Sequence, residues 1–581
     1  MANARLTRAI CSLVIDRSAN PLTDKPMAKP DQLVFCPLGG LGEIGMNAAL
    51  YGFGPEKTRK WILVDCGMTF AGPEAPGIDI VLPDLGFIEE RRKDLLAIII
   101  THAHEDHIGA LATFWPKLRA PVYCTQFAAG LISTRKLQEP GSPKVPLHVV
   151  VPGVPLELGP FLIEFIKVAH SIPQSCGLAI RTPAGLVVHT GDWKIDDTRH
   201  VGWPTDSNRL TELGDEGVLA MICDSTNVMR EGVSPGEADV AKTLEELIRS
   251  APGRVAVTTF ASNVARLRSV AEAAIACGRE VVVVGRAMER VIDVARDCGM
   301  LEGLPDFRSA QTFGYLPREK VVALLTGSQG EPRAALSRIA MDEHPEIALS
   351  PGDRVIFSSR TIPGNEKAVG AIHNALANQN IEIITDRQAL VHVSGHPRRE
   401  ELKQMYGWVR PRIAIPAHGE PLHLHEHARL ATALKVPHVL VVTNGDMIAL
   451  DPSGPVKIDD VPSGRIFQDG ELRIGAGEKT VPDRRKLSFA GIVSVAIAID
   501  DKGNIAGDLE IACMGLPPKT VDGDTFDDVV NDAVLDLVEN MPKQRRRDPE
   551  GLRNSIEKAV RGAVGEEWGK KPVVHALVIE V

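Results

Sequence analysis

Four side chains able to bind a metal ion fall within six positions of the stretch Thr101-His-Ala-His-Glu-Asp-His-Ile-Gly-Ala-Leu111: His102, His104, Asp106 and His107. Three imidazoles and a carboxylate suit zinc first, with manganese as the alternative. The competing reading is a chance cluster on a solvated loop. With only 17 histidines in 581 residues, the spacing favours a metal site. The apolar run Leu95-Leu-Ala-Ile-Ile-Ile100 reads as a buried strand, and Ile108 to Trp115 as the start of a helix. The ligands therefore sit on a strand-to-helix loop, where a sheet can fix several donors and leave a coordination position open.

Two further strand-like runs end in ligand-capable residues. Leu162 to Val168 leads to His170, and Leu186-Val-Val-His-Thr190 leads to Asp192. Taken alone, His170 reads as a structural histidine and Asp192 as a turn residue; beside the first loop, both become candidate ligands. Upstream, Gly39-Gly-Leu-Gly-Glu-Ile-Gly45 contains a G-x-G-x-x-G pattern, and Asp65 follows at about the twenty-residue spacing of a dinucleotide fingerprint. The segment between them opposes that reading. Parallel strands need a crossover of about a dozen residues or more, usually helical, whereas Ala48 to Trp61 holds a short apolar run, Gly52, Gly54, Pro55 and Lys57-Thr-Arg-Lys60. It reads as a β-hairpin. The glycines then let the backbone turn tightly beside the metal site, and Asp65 orients a ligand loop from behind.

The elements that position these residues belong to a chain long enough for several domains, with 44% hydrophobic residues for ordinary cores. No stretch approaches eighteen apolar residues, so no membrane span is expected. The nine cysteines are scattered without a Cys-x-x-Cys pair, which fits a reducing cytoplasm and opposes a disulfide framework or thiolate zinc ribbon. A formal charge of −10 counts against a nucleic-acid binder that works through overall charge, but is compatible with a basic groove on an acidic body. Residues 1–32 read as a disordered extension, with Met27 a candidate start.

After Val218 to Asp224 the pattern turns into alternating strands and helices, the rhythm of a small parallel α/β domain. Its strands run into Thr326-Gly-Ser-Gln-Gly-Glu-Pro332 and Ser358-Ser-Arg-Thr-Ile-Pro-Gly-Asn-Glu366. Such loops can present backbone N–H groups and hydroxyls to phosphate, or be ordinary turns. Neither is a P-loop. Next come His392-Val-Ser-Gly-His396 and Ile413-Ala-Ile-Pro-Ala-His418. His418 fits as a ligand of a second metal, and His396 as a proton donor near neutral pH. His423, His425 and His427 read as a solvated helix start. Residues 451–485 read as a Gly- and Pro-punctuated linker, and 486–581 as a small α+β domain in which Lys543-Gln-Arg-Arg-Arg547 is an inter-helix loop.

In this order, Asp65, His-x-His-x-Asp-His at 102 to 107, His170 and Asp192 resemble the metallo-β-lactamase superfamily. The resemblance implies an α/β fold, a four-layer αββα sandwich. It also implies two metal ions per subunit: His102, His104 and His170 on one, Asp106 and His107 on the other, and Asp192 bridging. Asp224, His396 and His418 look like motifs A, B and C of the β-CASP nucleases. The glycine motif, Thr326 to Pro332, Ile362 to Glu366, His392 to His396 and Pro416 to Glu420 resemble the bacterial ribonuclease J family. The sandwich is then expected over 33–235 and 386–450, with the β-CASP domain inserted at 236–385.

The resemblance further implies 5′-to-3′ exoribonuclease action favouring 5′-monophosphate ends, together with endonuclease action, in rRNA maturation and mRNA decay. Single-stranded RNA is the expected partner, with a homodimer or homotetramer and an RNA-degradation complex as further associations. In the implied mechanism, a hydroxide activated by two ions, zinc or manganese, about 3.5–4 Å apart attacks the phosphodiester in line. His396 serves the leaving oxygen, while Asp192, Asp65 and Asp224 complete the catalytic group. Ser358, Ser359, His392, Ser394 and His396 are candidates for contacting RNA phosphate. The sequence departs from the family at Ala103, where Gly is commoner, and at Gln174, where an acid is frequent; Arg360 bears on how a 5′ end is held. A β-CASP DNA nuclease and a non-catalytic RNA-binding scaffold are the rival readings. A small-ester hydrolase leaves the inserted domain unexplained.

Overall fold

The structure, a computed structural model, describes residues 31–138, 141, 143–198 and 201–581. The expected extension, with Met27, lies outside the described residues except for its last two positions. Two large sheets stack face to face. One has eight strands, from Val456–Asp460 at one edge through Asp446–Ala449, Gln32–Gly39, Ala48–Gly54, Lys60–Val64, Leu95–Ile99 and Val122–Cys124 to Leu147–Val149. The other has seven, from His438–Val439 through Ile413–Ala417, Val218–Asp224, Gly185–His189, Cys176–Thr182 and Phe161–Lys167 to Leu156–Leu158.

Alternation along these strands sends Phe35, Tyr51, Ile62 and Ile99 of the first sheet against Phe161, Ile163, Ile180, Ile222 and Ile413 of the second, all buried in one core. The opposite faces are covered by helices. Leu111, Phe114, Leu118 and Phe127 lie over the first sheet. Helices Ser207–Glu216, Arg399–Val409 and Pro421–Ala433 lie over the second. The result is the αββα sandwich.

Gln32–Gly39 and Ala48–Gly54 pair antiparallel, as do Ala48–Gly54 and Lys60–Val64. The glycine-rich loop thus joins antiparallel strands rather than opening a helical crossover. Lys60–Val64 runs parallel to Leu95–Ile99, and Gly185–His189, Val218–Asp224 and Ile413–Ala417 run parallel to one another. Parallel direction gathers the strand ends: Asp65, the 101–107 loop, Asp192, Asp224 and His418 all follow carboxyl ends on one edge of the sandwich.

The inserted domain is built on a six-stranded, all-parallel sheet in the order Arg308–Ser309, Glu280–Val284, Val321–Leu325, Val255–Thr258, Arg354–Phe357, Glu382–Ile384. The near-continuous apolar strand Glu280-Val-Val-Val-Val284 is what a strand covered on both faces requires. One face packs on Leu336, Ile339, Val369 and Ile372. The other shares a core with the helical layer of the sandwich.

Residues 451–485 differ from the linker expectation. Val456–Asp460 extends the eight-stranded sheet by pairing with Asp446–Ala449, and Arg465–Asp469 pairs with Ile80–Pro83. The Gly and Pro residues punctuate short, largely exposed strands that lack apolar alternation, so the pattern reads as irregular. Beyond helix Thr480–Ala490, three strands in the order Glu510–Met514, Ile492–Ile499, Val573–Glu580 pack one face on helices Phe526–Asn540 and Pro549–Trp568. The basic run forms a short exposed helix, Lys543–Arg546.

Candidate metal centre

Three histidine nitrogens converge first. His104 Nδ1 lies 3.1 Å from His102 Nε2 and 3.1 Å from His170 Nε2. A second group gathers around Asp106, whose Oδ2 is 3.2 Å from His418 Nε2 and 3.4 Å from His107 Nε2. Asp192 stands between the two. Its Oδ2 lies 3.7 Å from His102 Nε2, 3.7 Å from His170 Nε2, 3.3 Å from His107 Nε2 and 3.7 Å from His418 Nε2. A single carboxylate oxygen therefore belongs to both groups, each with its donor atoms within 4.8 Å of one another.

The remaining ring nitrogens are held from outside, which fixes tautomer and orientation. Asp65, almost fully buried, accepts from Thr101 N at 2.8 Å and from Thr101 Oγ1 at 2.8 Å, and its Oδ2 lies 2.7 Å from His107 Nδ1. His170 Nδ1 meets the Gly395 carbonyl at 2.7 Å, and His418 Nδ1 meets Thr226 Oγ1 at 2.8 Å. Asn47 Nδ2 donates to the Asp106 carbonyl at 3.1 Å. The glycine-rich loop has its role here: Leu41 and Glu43 both bridge Gly419, beside His418. At Gly395 a Cβ would lie 2.6 Å from His170 Cε1, so only glycine permits this approach.

The electrostatics divide the same way. Burial pushes His102 and His170 well below the ordinary imidazole range and His104 down to about 4. These rings are neutral, the form that ligates a cation. At the other end burial acts downward on His107 and His418, but Asp192 and the neighbouring carboxylates outweigh it and hold both well above the ordinary value. Asp106 and Asp192 are held well below theirs; burial raises them, and the His107 and His418 side more than offsets it. Neutral nitrogens on one side, and on the other ionised carboxylates that draw positive charge onto His107 and His418, make a pocket suited to divalent cations in place of those protons.

Next to the centre, His396 Nδ1 lies 2.7 Å from Asp224 Oδ2, and its ring stacks on His418 at 5.3 Å between centroids. Asp224 Oδ1 also accepts from Thr226 N at 2.8 Å. Burial lowers the His396 pKa, but Asp224 and Asp192 raise it more, leaving it above the ordinary value.

Comparison with known proteins adds a decisive observation. The chain matches the family descriptions "Metallo-beta-lactamase superfamily" over residues 47–286, "Ribonuclease J, beta-CASP domain" over 252–376, "Zn-dependent metallo-hydrolase RNA specificity domain" over 380–441 and "Ribonuclease J C-terminal domain" over 479–581. It is 52% identical over 555 residues to ribonuclease J of Sinorhizobium meliloti, covering 96% of this chain and 98% of that protein. To ribonuclease J of Mycolicibacterium smegmatis it is 38% identical over 569 residues, 96% of this chain and 99% of that protein. The chain belongs to the ribonuclease J family. Among solved structures, a protein of unknown function from Enterococcus faecalis V583 shares the fold at a TM-score of 0.50 and 14% identity, over 72% of this chain and 100% of that one. As a ribonuclease J family member, the protein is a metal-dependent hydrolytic nuclease, with the buried His/Asp cluster as its metal-binding site.

The candidate RNA-phosphate residues fall into two groups. Ser358 is fully buried, its hydroxyl donating to the Val391 carbonyl at 2.6 Å and accepting from Arg266 at 2.6 Å. It braces the structure rather than facing substrate, a departure from expectation; the Ser-Ser pair alone does not tell which hydroxyl turns inward. Ser359 is also buried but makes no hydrogen bond to Arg266 or Val391, while Ser394 Oγ accepts from His396 N at 3.3 Å. His392 has Nδ1 without a hydrogen-bond partner among the described residues, and Ser394 Oγ accepts from Asn227 Nδ2 at 2.8 Å. Gln174 caps the N-terminus of helix Gln126–Gln138 by accepting from Phe127 N at 2.8 Å. Arg360 pairs with Asp386 at 3.1 Å. His427 departs from the solvated helix start: it is fully buried, 2.8 Å from Ser225 Oγ and 3.0 Å from Tyr406 OH.

Sequence reasoning overlooked Asn47, Thr101, Thr226 and Gly395. Each adjoins a motif, but their contacts reach across loops remote in sequence, so spacing alone carried no signal. The described part of the chain has no helix long and apolar enough to cross a membrane.

Proposed function

We propose that this family member is a 5′-to-3′ exoribonuclease that favours 5′-monophosphate ends of single-stranded RNA and also cuts internally. The observation that carries this reading is the shared Asp192 oxygen between two donor groups, set beside the His396–Asp224 pair. His102, His104 and His170 would hold one Zn2+, Asp106, His107 and His418 the other, and Asp192 both; Mn2+ is the alternative occupant. Two such ions lower the pKa of water and neutralise charge on phosphoryl oxygens.

The chain's own groups do the rest. Asp224 fixes His396 through Nδ1, which leaves Nε2 for the departing 3′ oxygen and its proton. Ser359, His392 and Ser394 orient the neighbouring phosphate by hydrogen bonds. Groups that hold the phosphate next to the scissile one in this way would favour a terminal phosphate. Asp65, Thr226 and the Gly395 carbonyl hold the ligating rings and so define where the scissile bond must lie.

Two associations accompany this reading. The face of the C-terminal sheet away from its helices exposes Met514, Leu577 and Ile579, at 68%, 50% and 52%. Apolar exposure of this kind on one sheet face suits a second copy of the chain, hence a homodimer or homotetramer. The free cysteines among the described residues, five of them buried, accord with a reducing cytoplasm.

The test is one single-stranded RNA with a 5′-monophosphate, 5′-hydroxyl or 5′-triphosphate, labelled internally and at the 3′ end, with zinc or manganese, a chelator control and a DNA copy. Stepwise release of mononucleotides, fastest from the monophosphate and abolished by chelator, is expected. Cleavage confined to DNA would refute the substrate assignment, and a metal-loaded protein that binds RNA without cutting it would refute catalysis.

A further inference from the structure

The inserted domain leaves the sandwich beside Glu237 and returns beside Val391, and one guanidinium touches both crossings. Arg266, fully buried on helix Val264–Ala276, donates from Nε and Nη2 to Glu237 Oε2 at 3.2 and 2.9 Å. Its Nη1 donates to the Val391 carbonyl at 2.8 Å and to Ser358 O and Oγ at 3.2 and 2.6 Å. The sandwich grips the same point from its own side. Asp196 Oδ2 accepts from Glu237 N at 3.1 Å and pairs with the buried Lys194 Nζ at 2.7 Å.

A buried ion pair is a costly way to fill space, since apolar side chains of similar volume often stabilise as well or better. What a guanidinium adds is direction: a rigid planar fork that holds several chain segments at fixed separations. The segments held here are telling. Ser359 follows Ser358, and His392 follows Val391. The segment from Val391 to His396 is pinned at its other end by the metal-ligating His170, through the Gly395 carbonyl at 2.7 Å. Ser358 Oγ also donates to the Val391 carbonyl at 2.6 Å, so without Arg266 these two segments stay joined but lose their tie to Glu237, and Ser359 and His392 can shift together while the ligand set stays in place.

We propose that Arg266 is a positioning residue that sets Ser359 and His392 against the substrate phosphate. This rests on the reading that these two residues contact RNA. Misplacement by about 1 Å remote from the chemistry can cost on the order of 100-fold in rate. The effect belongs to substrates that span both the phosphate contacts and the metal centre. A small phosphodiester that reaches only the metals is insensitive to it.

The full-length, metal-loaded protein is compared with Arg266→Met, Arg266→Lys and the pair Glu237→Gln with Arg266→Met, which removes both charges of the ion pair where the single change removes one. Each is assayed on 5′-monophosphate RNA, 5′-hydroxyl RNA and bis(p-nitrophenyl) phosphate, with metal content and thermal midpoint measured. The expected result for Arg266→Met and for the pair is RNA cleavage lowered tenfold or more in kcat. Hydrolysis of the small diester and metal content should stay within about twofold of the parent. Arg266→Lys, which keeps the charge but cannot span both crossings, should fall between. Equal loss on RNA and the small diester, or no loss on RNA, overturns the proposal. If the parent itself does not distinguish the two RNA ends, the 5′-end preference fails, while the ratio of RNA to small-diester cleavage still decides the role of Arg266.

Discussion

Replacing Asp65 by Asn tests whether the second ion depends on a residue that never touches it. The side chains are isosteric, and Asn tolerates the left-handed backbone at φ +62°, so the loop should keep its path. Asn Oδ1 can still accept from Thr101 N. The new amide, however, turns N–H groups toward His107 Nδ1, where a carboxylate oxygen now sits at 2.7 Å. His107 must then carry its proton on Nε2, the atom facing Asp106 and Asp192, and the lone pair needed for ligation is lost. The bond given up is charge-assisted, worth about 1.5–3 kcal/mol. That corresponds to a second-ion affinity weakened by about 10 to 100-fold, the range typical of such outer partners. Chelator-competition titration with elemental analysis should find one ion as tight as in the parent and one weakened. RNA cleavage should recover as metal is raised. Two ions at parental affinity would refute the tautomer argument, and equal weakening of both would show that Asp65 supports the loop as a whole.

His396→Ala should lower kcat by about 100 to 10,000-fold with both metals retained, the range for loss of a general acid; loss of metal in that variant would contradict its role. Gly395→Ala should expel His170 from its place, because the added Cβ meets the ring at 2.6 Å, and metal analysis should show the His102–His104–His170 ion depleted first. Glu164→Gln probes acid stability. Burial raises the Glu164 pKa, but Arg209 at 2.7 Å and Arg181 at 3.1 Å lower it further, leaving it below the ordinary 4.5. A depressed folded-state pKa gives stability that is present above 4.5 and lost as pH falls through the lowered value. The parent should therefore exceed the variant in urea midpoint at neutral pH, and the gap should close only below pH 4.5; a gap constant down to pH 3 would contradict this.

The first metal loop was legible because its ligands lie on consecutive turns of one chain segment, where spacing is geometry. The same holds for the parallel inserted domain, whose buried strands and capped helices are local patterns: Asn263 accepts from Arg266 N at 3.0 Å at the start of helix Val264–Ala276. His170, Asp192 and His418 could be gathered only as ligand-capable residues at strand ends beside the first loop and by the order of motifs in the family they resemble. Legibility ended where a residue's partner is distant. Thr226 and His418 are separated by 192 positions. The strands of 451–485 were missed because Val456–Asp460 is exposed throughout and the next two bury a single residue each, Phe467 and Ile474, too little for an apolar alternation, and His427 because helix amphipathicity near a polar start is weak. The dinucleotide-like glycines misled in the other direction. What excluded them was the hairpin that follows, not the motif.

Backbone conformation gives independent evidence of where this fold stores strain. Nine residues other than glycine have positive φ among the described residues: Met46, Asp65, Arg119, Gln174, Asp342, Asn380, Arg410, His418 and Lys435. Arg119, Asp342, Asn380, Arg410 and Lys435 cap or immediately follow the C-termini of helices, where a left-handed residue ordinarily ends the helix. No such explanation serves the other four. Met46 precedes Asn47, Asp65 bonds His107, Gln174 lies four positions beyond His170, and His418 is itself a ligand candidate. Each costs on the order of 1 kcal/mol or more and persists only where its surroundings over-determine it. At Asp65 the determinants are the three bonds to Thr101 and His107; at His418 they are Thr226, Asp106 and the docked glycine loop. Relaxing the His418 backbone would turn its ring away from the shared Asp192 oxygen, and relaxing Asp65 would release the His107 ring that faces the same oxygen. The strain is thus concentrated where two ion positions must be fixed relative to each other, and this distribution would be hard to explain if the cluster served only to hold the fold together.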